Sequence, residues 1–191
     1  MVTTRNTRED VIAAAGRLFA SNGYHGTSMR DLGRELGLRG SSLYSHVTSK
    51  EDLLVAVVER GAEHFEASAA AAVDKHDAPL ERLRALIAGH IDVVLDHADA
   101  AKTFLDEANS LDNERRSLIV AARDRYESVF RDVLATGSSD GTFLADIDPK
   151  TAAIFVLSIL NAVERWYDAD GRLDRPGLKA EISSFVERSL I

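Results

Sequence analysis

Residues 28–47 read SMRDLGRELGLRGSSLYSHV, and this stretch decides the fold. Gly33 is a small residue that lets a following helix approach closely. Gly37, four positions later, falls where a turn between two helices needs a positive φ, a conformation that costs glycine little. Leu32, Leu36, Leu38 and Leu43 supply the apolar contacts that hold the two helices at their crossing. The outward positions of the second helix are then Arg39, Gly40, Ser41, Ser42, Tyr44, Ser45 and His46. Small and hydrogen-bonding side chains of this kind suit an element pressed into a major groove, where donors and acceptors must reach base edges. The helix is short and runs directly into Thr48–Ser49–Lys50. That places the next helix N-terminus, with its free amides and Lys50, beside a phosphate, as Thr27 and Ser28 do at the start of the preceding helix.

Working outward, apolar residues recur at helical spacing and no sustained period-two segment suggests a strand, so the fold class is all-α. The first helix spans Arg8–Asn22, with Thr7 and Asp10 spaced as a capping box and Gly23 as its stop. Ser28 with Asp31, and Ser49 with Asp52, repeat that spacing ahead of the second and fourth helices, and the third covers roughly Ser41–His46. The fourth runs to about Val73. A fifth opens at Pro79, a sixth covers Ala98–Ala108, and a seventh Asn113–Ala135. Residues 136–148 contain Gly137, Gly141 and several Asp and Ser, which predicts a loop. The eighth helix opens at Pro149 and extends to about Tyr167; the ninth opens at Pro176 and ends the chain. The reading divides the chain into a three-helix DNA-binding domain with a helix-turn-helix (residues 1–50) and a larger helical bundle (51–191).

Charge supports the division. The first 50 residues hold seven Lys/Arg against four Asp/Glu, a net of +3, while the remainder holds sixteen against twenty-seven, a net of −11. Phosphate contacts dominate nucleic-acid affinity, so a uniformly acidic chain would bind DNA poorly; a positive quarter on an acidic body fits a DNA-facing module carried by a body with another task. The absence of cysteine excludes disulfides, thiolate metal sites and a cysteine nucleophile, and fits a reducing compartment. Val11–Ala20 is broken by Arg17 and makes no secretory leader, and Ala152–Val163 is too short to span a bilayer. The expectation is a cytoplasmic protein with no membrane partner.

The first 55 or so residues resemble the DNA-binding domain of the TetR family of transcriptional regulators. The resemblance is carried by AAGRLFASNGYHGTSMRDLGRELGLRGSSLYSHVTSKEDLL (14–54), with its Gly-Tyr-x-x-Thr-Ser link and its Leu-Tyr-x-His-Val-x-x-Lys-Glu-x-Leu run. It implies that Thr27, Ser28, Tyr44, His46 and Lys50 contact phosphates, while Arg39, Gly40, Ser41 and Ser45 approach bases. Lysine is absent at position 40 and serine stands at 45, which makes Arg39 the most base-specific contact, to guanine. The partner implied is a double-stranded palindromic operator, and the mode of action is that of a repressor released by a small hydrophobic effector.

The body carries two further expectations. TAAIFVLSILNAVERWY (151–167) is apolar on nearly every face as far as Val163, and a helix apolar all round is buried all round. Packing one side on its own bundle and the other on a second copy satisfies this, and by the resemblance the last two helices form a homodimer interface. Its expected residues are Phe155, Ile159, Val163, Ile182, Phe185 and Val186; a monomer with this helix at the centre of one large core is the alternative. The resemblance also implies an effector cavity in the bundle. The candidates to line it are His90, Phe104, Asn109, Arg123, Tyr126, Phe130, Asn161 and Trp166, with a core role standing beside the ligand role for His90, Phe104 and Phe130. Residues 141–153 (GTFLADIDPKTAA) and 161–173 (NAVERWYDADGRL) resemble a TetR branch that answers to acyl-CoA thioesters in lipid or sterol breakdown. Members of that branch carry an arginine and an aromatic in the eighth helix, where this chain has Leu157 and Asn161.

An enzyme is the weaker reading. No Glu is followed three residues later by His, the His-Glu-x-x-His motif is absent, and the six histidines do not cluster as metal ligands. No cofactor or metal is expected. A helical ligand-binding or interaction module that no longer reads DNA is the other alternative, against which Tyr44, His46, Lys50 and the basic excess stand.

Overall fold

The computed structural model describes residues 7–38 and 40–191, with the backbone alone for residues 40, 41, 108 and 109. All regular elements among them are helical: α1 (Arg8–Asn22), α2 (Met29–Glu35), α3 (Gly40–Leu43), α4 (Lys50–Lys75), α5 (Pro79–Asp96), α6 (Ala98–Asp106), a 3-10 turn (Glu107–Ser110), α7 (Asn113–Ser139), α8 (Pro149–Asn161), α9 (Val163–Trp166) and α10 (Arg175–Leu190). Among the described residues no helix is long and apolar enough to cross a membrane. The described residues form two compact units: those up to residue 63 with 99–120, and residues 64–98 with 121–191. Helices α4 and α7 are each divided between the units, after Glu63 and after Val120.

Local chemistry fixes where the helices begin. Thr7 and Asp10 close a reciprocal capping box on α1, with Asp10 N–H donating to Thr7 Oγ1 at 3.2 Å and Thr7 N–H to Asp10 Oδ2 at 2.7 Å. Ser28 and Asp31 do the same for α2, and Ser49 Oγ accepts Asp52 N–H at 3.0 Å ahead of α4. Asp148 and Asp174 cap α8 and α10 beside prolines in their first turns. Each such cap is worth about 1 kcal/mol.

The core of the first unit joins Val11, Ala15 and Phe19 of α1, Leu32 of α2, Leu43 of α3 and Leu53, Val57 and Val58 of α4 to Ala101 and Phe104 of α6. Gly61 makes this possible. A Cβ there would stand 2.6 Å from the Ala100 carbonyl oxygen and 2.7 Å from Phe104 Cβ, so α6 lies on α4 at backbone distance. The second unit is built round α5, which packs on α8, α9 and α10. Its core includes Leu83, Leu86, Ile87 and Ile91 of α5, Phe130 and Leu134 of α7, Leu160 of α8 and Leu178 and Val186 of α10. Polar ties overlay this packing: Arg84 forks onto Glu187 with two bonds of 2.8 Å, and Arg175 reaches Asp96 at 2.7 Å.

Three boundaries differ from the sequence reading. Helix α7 continues through Gly137 to Ser139, because Gly137 is bare for packing and makes no turn: a Cβ on it would fall 2.2 Å from the Phe143 ring. The turn lies at Gly141, with φ +81°. Helix α8 stops at Asn161, and four further residues form the separate helix α9. Helix α3 ends at Leu43, and residues 44–46 continue as turns.

Replacing Gly61 by Ala should destabilise the protein by about 1–3 kcal/mol, the usual cost of overpacking against an immovable neighbour. Urea unfolding followed by circular dichroism measures it, and an unchanged midpoint would mean that α6 can back away without loss.

Candidate nucleic-acid interface and effector-binding unit

The turn between α2 and α3 is closed by backbone alone. Gly37 takes φ +64°, its N–H donates to Arg34 O at 3.2 Å, and Leu38 N–H donates to Gly33 O at 2.8 Å. A Cβ on Gly33 would lie 3.1 Å from Leu38 O, so this glycine admits the backbone of the turn and not helix α3 as expected. Leu43 and Val47 are buried and anchor the segment, leaving Ser42, Tyr44 and Ser45 exposed and His46 half-exposed between them. Tyr44 is 55% exposed, unusual for a large ring that has a core beneath it. Ser45 Oγ donates to Ser42 O at 2.7 Å. Arg39 and the Ser41 side chain lie outside the described residues, and Gly40 is described by its backbone as the start of α3.

Two expected phosphate contacts look different in place. Thr27 is only 2% exposed, and its hydroxyl donates to Leu18 O at 3.1 Å and Gly23 O at 3.0 Å. It therefore pins the link between α1 and α2 and offers no side-chain donor to solvent. Ser28 is exposed, but its hydroxyl is committed to the capping box with Asp31. Lys50 keeps the expected position at the start of α4. Its ammonium lies 4.1 Å from the centroid of the Tyr24 ring, and partial desolvation there draws its pKa below the usual lysine value.

The sequence did not single out Glu107 or Arg115, yet both brace this face. Glu107 Oε1 accepts the Tyr24 N–H at 3.0 Å. Arg115 pairs with Glu51 at 2.8 Å and Asp52 at 3.1 Å, in the first turn of α4. Residues 99–120, read from sequence as part of the larger bundle, thus pack in the same compact unit as the helix-turn-helix. Only the long-range fold could show this.

In the second unit four of the cavity candidates converge, His90, Tyr126, Phe130 and Asn161. His90 is fully buried on α5, and its Nδ1 lies 3.0 Å from the Tyr126 hydroxyl of α7. Asn161, at the end of α8, stands beside the same imidazole and favours its proton, but burial outweighs it and pushes the His90 pKa down to about 3. Phe65 and Phe130 flank the pair, with Phe65 4.8 Å from His90 and Phe130 5.5 Å from Tyr126 between ring centroids. A cavity of about 510 Å³ opens against Tyr126 between α4 and α7, its apolar walls made by Ala69, Ala70, Val73, Val129 and Val133. Arg123 is half-buried on α7. Phe104 belongs to the other unit, where it packs beneath Gly61, and Trp166 is 53% exposed, so neither joins the cluster; the Asn109 side chain lies outside the described residues.

The expected dimer face also divides. Val163, Ile182 and Val186 are buried within the protomer, because α8 to α10 turn these positions towards α5. Phe155 at 64% exposure and Phe185 at 58% remain open with Ile154 and Trp166, and Ile159 is half-buried.

A glycine-turned helix pair with an exposed polar edge, carried with a separate ligand-sized bundle, defines a helix-turn-helix DNA-binding regulator. Residues 11–57 match the bacterial regulatory proteins of the tetR family, and residues 76–190 match the tetracyclin repressor-like C-terminal domain. The chain belongs to the TetR family and is a ligand-responsive DNA-binding regulator, not an enzyme. It is 28% identical over 167 residues to the transcriptional repressor KstR2 of Mycobacterium tuberculosis, covering 87% of this chain and 84% of KstR2. Among solved structures it is similar to PfmR of Thermus thermophilus, with a TM-score of 0.85, 30% identity, and 93% of this chain and 97% of PfmR covered. It is also similar to AibR in complex with isovaleryl coenzyme A and operator DNA, with a TM-score of 0.85, 27% identity, and coverage of 96% and 97%.

Burial of neutral His90 has a pH signature. The unfolded chain takes up a proton on this histidine as pH falls through about 6.5, while the folded chain does not until about 3, so acid favours unfolding. Between pH 8 and pH 5 this one group should remove about 2 kcal/mol of stability. Urea midpoints of His90→Phe, compared with the parent across that range, should lose that part of the slope.

Proposed function

We propose that the chain is a homodimeric repressor that sits on a palindromic operator in the cytoplasm and leaves it when a small hydrophobic effector binds. DNA reading is assigned to residues 1–50, and effector binding and dimerisation to 51–191. The observation that carries the reading is the segment from Leu36 to Lys50, which contains no Asp or Glu and presents Ser42, Tyr44, Ser45 and His46 outward above buried Leu43 and Val47. An acid-free, hydrogen-bonding edge that ends in a lysine at a helix N-terminus is what a phosphate backbone selects. Arg39, Gly40 and Ser41 are assigned to bases; Ser28, Tyr44, His46 and Lys50 are assigned to phosphates, Ser28 through the amides at the start of α2.

Dimerisation is assigned to the exposed apolar face of Ile154, Phe155, Trp166 and Phe185, with Ile159 at its margin. Large aromatics left in water at these exposures mark an interaction surface. A two-fold axis through such a face sets recognition helices roughly 34–36 Å apart, one turn of DNA. The effector is assigned to the second unit, at His90, Tyr126 and Asn161. The isovaleryl coenzyme A bound by AibR supports an acyl-thioester class. Since α4 and α7 each belong to both units, a shift of either on ligand binding carries to the helix-turn-helix, and a coupling of about 1–3 kcal/mol gives a 5–150-fold loss of operator affinity.

Lys50→Ala should weaken binding to operator and random duplexes alike and lower the slope of log affinity against log salt by about 1. Fluorescence anisotropy at several salt concentrations reads both, and an unchanged slope would remove Lys50 from the interface. Phe155→Arg should raise the dimer dissociation constant by about thirtyfold or more, as loss of a buried anchor worth about 2 kcal/mol does. Sedimentation equilibrium measures it; a parent protein sedimenting as single chains would overturn the dimer.

A further inference from the structure

The helix that follows the recognition segment opens on a conflict of charges. Its first turn places Glu51 and Asp52 directly after Lys50. Carboxylates there suit α4, because they meet the positive end of the helix dipole. The Thr48 hydroxyl, with Ser49 and Arg115 behind it, holds the Asp52 carboxyl below the usual carboxylate range, so Asp52 is charged at neutral pH. A phosphate asks for the opposite. Two carboxylates outweigh the one ammonium of Lys50, and charges within about 10 Å of each other still interact at about 0.1 M salt. Arg115, at the start of α7 and in the same compact unit, meets both carboxylates. Its two terminal nitrogens lie 2.8 Å from Glu51 Oε2 and 3.1 Å from Asp52 Oδ1, and its backbone N–H donates to Asp112 Oδ1 at 2.8 Å. All three side chains are half-buried, where ion pairs are screened less than in open water. Two more carboxylates approach this turn. Glu107 favours the charged form of Lys50, but its oxygens are bound by the Tyr24 N–H at 3.0 Å and the Ser110 hydroxyl at 2.7 Å. Asp112 Oδ2 lies 3.9 Å from the Arg115 guanidinium. The guanidinium is thus spent on carboxylates, and with it Lys50, Glu51 and Asp52 come to a net charge of zero.

We propose that Arg115 is a positioning residue for DNA binding: it touches no nucleic acid, and by neutralising Glu51 and Asp52 it lets the start of α4 stand beside the phosphate that Lys50 meets. The proposal rests on the assignment of Lys50 to a phosphate. Two other roles for the same ion pair predict different signs. A brace that only holds α7 on α4 is broken equally from either end, so losing Glu51 or Arg115 would weaken DNA binding alike. An arginine that itself grips a phosphate is missed whether or not Glu51 is there. A neutralising arginine is opposed by the carboxylates it covers. Loss of Arg115 then weakens binding and loss of the Glu51 charge strengthens it. The two losses together cancel, because the turn returns to its original net charge.

The test is fluorescence anisotropy of the full-length protein, free of effector, on a labelled random-sequence duplex of about 24 base pairs in about 0.1 M salt. Arg115→Ala should weaken binding about fivefold, and Glu51→Gln should tighten it by a similar factor. Arg115→Ala combined with Glu51→Gln should bind within about twofold of the parent. Both single-variant effects should shrink as salt rises, since screening removes the repulsion. Circular dichroism confirms that each variant is folded, and the Glu51→Gln result stands even where Arg115→Ala is not folded. Unchanged or weaker binding by Glu51→Gln would overturn the proposal. So would a folded double variant still about fivefold weaker than the parent, which would make Arg115 a direct contact. Lys50→Ala, measured beside them, separates the two readings. Parent-like binding by that variant, or a parent that does not bind the duplex, overturns the interface and this proposal together. A weakened Lys50→Ala with parent-like Glu51→Gln overturns this proposal alone.

Discussion

The close approach of α6 to α4 at Gly61 is the constraint on which the arrangement of the first unit depends. Burial of Phe104 there supplies the energy, of the order of 2–3 kcal/mol for one aromatic side chain, and the missing Cβ lets the two backbones meet. Once α6 is seated, the following turn delivers Glu107 to the Tyr24 amide, and the start of α7 delivers Arg115 to Glu51 and Asp52. These partly exposed ion pairs add little stability by themselves. They fix register: the recognition segment is held against a part of the chain nearly sixty residues beyond it.

This has a functional reading. The helix-turn-helix packs with residues 99–120 in one compact unit, and the two helices that leave that unit, α4 and α7, carry Phe65 and Tyr126 respectively beside His90. On the proposed function, the helices that flank His90 run on in sequence into the unit that carries the helix-turn-helix. A ligand shifts an equilibrium only by its differential affinity for the two states, so an effector of the proposed kind acts through whatever these helices do differently in each.

Much of this was legible in the sequence because it is local. Caps such as Thr7 with Asp10 and Ser28 with Asp31 are written in residues three apart, and the positive φ of Gly37 follows from a turn between two apolar stripes. What stayed hidden depends on partners distant in the chain. Gly61 looks like an ordinary helix residue and Gly137 like the start of a loop until Phe104 and Phe143 are placed against them. Thr27 carries a hydroxyl suited to a phosphate, and only the fold shows that two carbonyls already use it. A helix apolar on every side, such as 152–163, does not say which side faces home; α5 decided that Val163 turns inward and Phe155 outward. The His90–Tyr126–Asn161 convergence joins α5, α7 and α8, and no spacing could have announced it.

The seat of Lys50 on the Tyr24 ring carries a last consequence. A lysine on a free surface samples many rotamers and gives up that freedom when it grips a phosphate, at about 0.5–1.5 kcal/mol for each side chain immobilised. Here the aromatic face has gathered the ammonium before any duplex arrives, and Glu107 holds the backbone under that ring. On the function proposed above, in which Lys50 meets a phosphate, that ordering is settled during folding, and whatever disturbs the Tyr24 platform would loosen the contact without touching the nucleic acid.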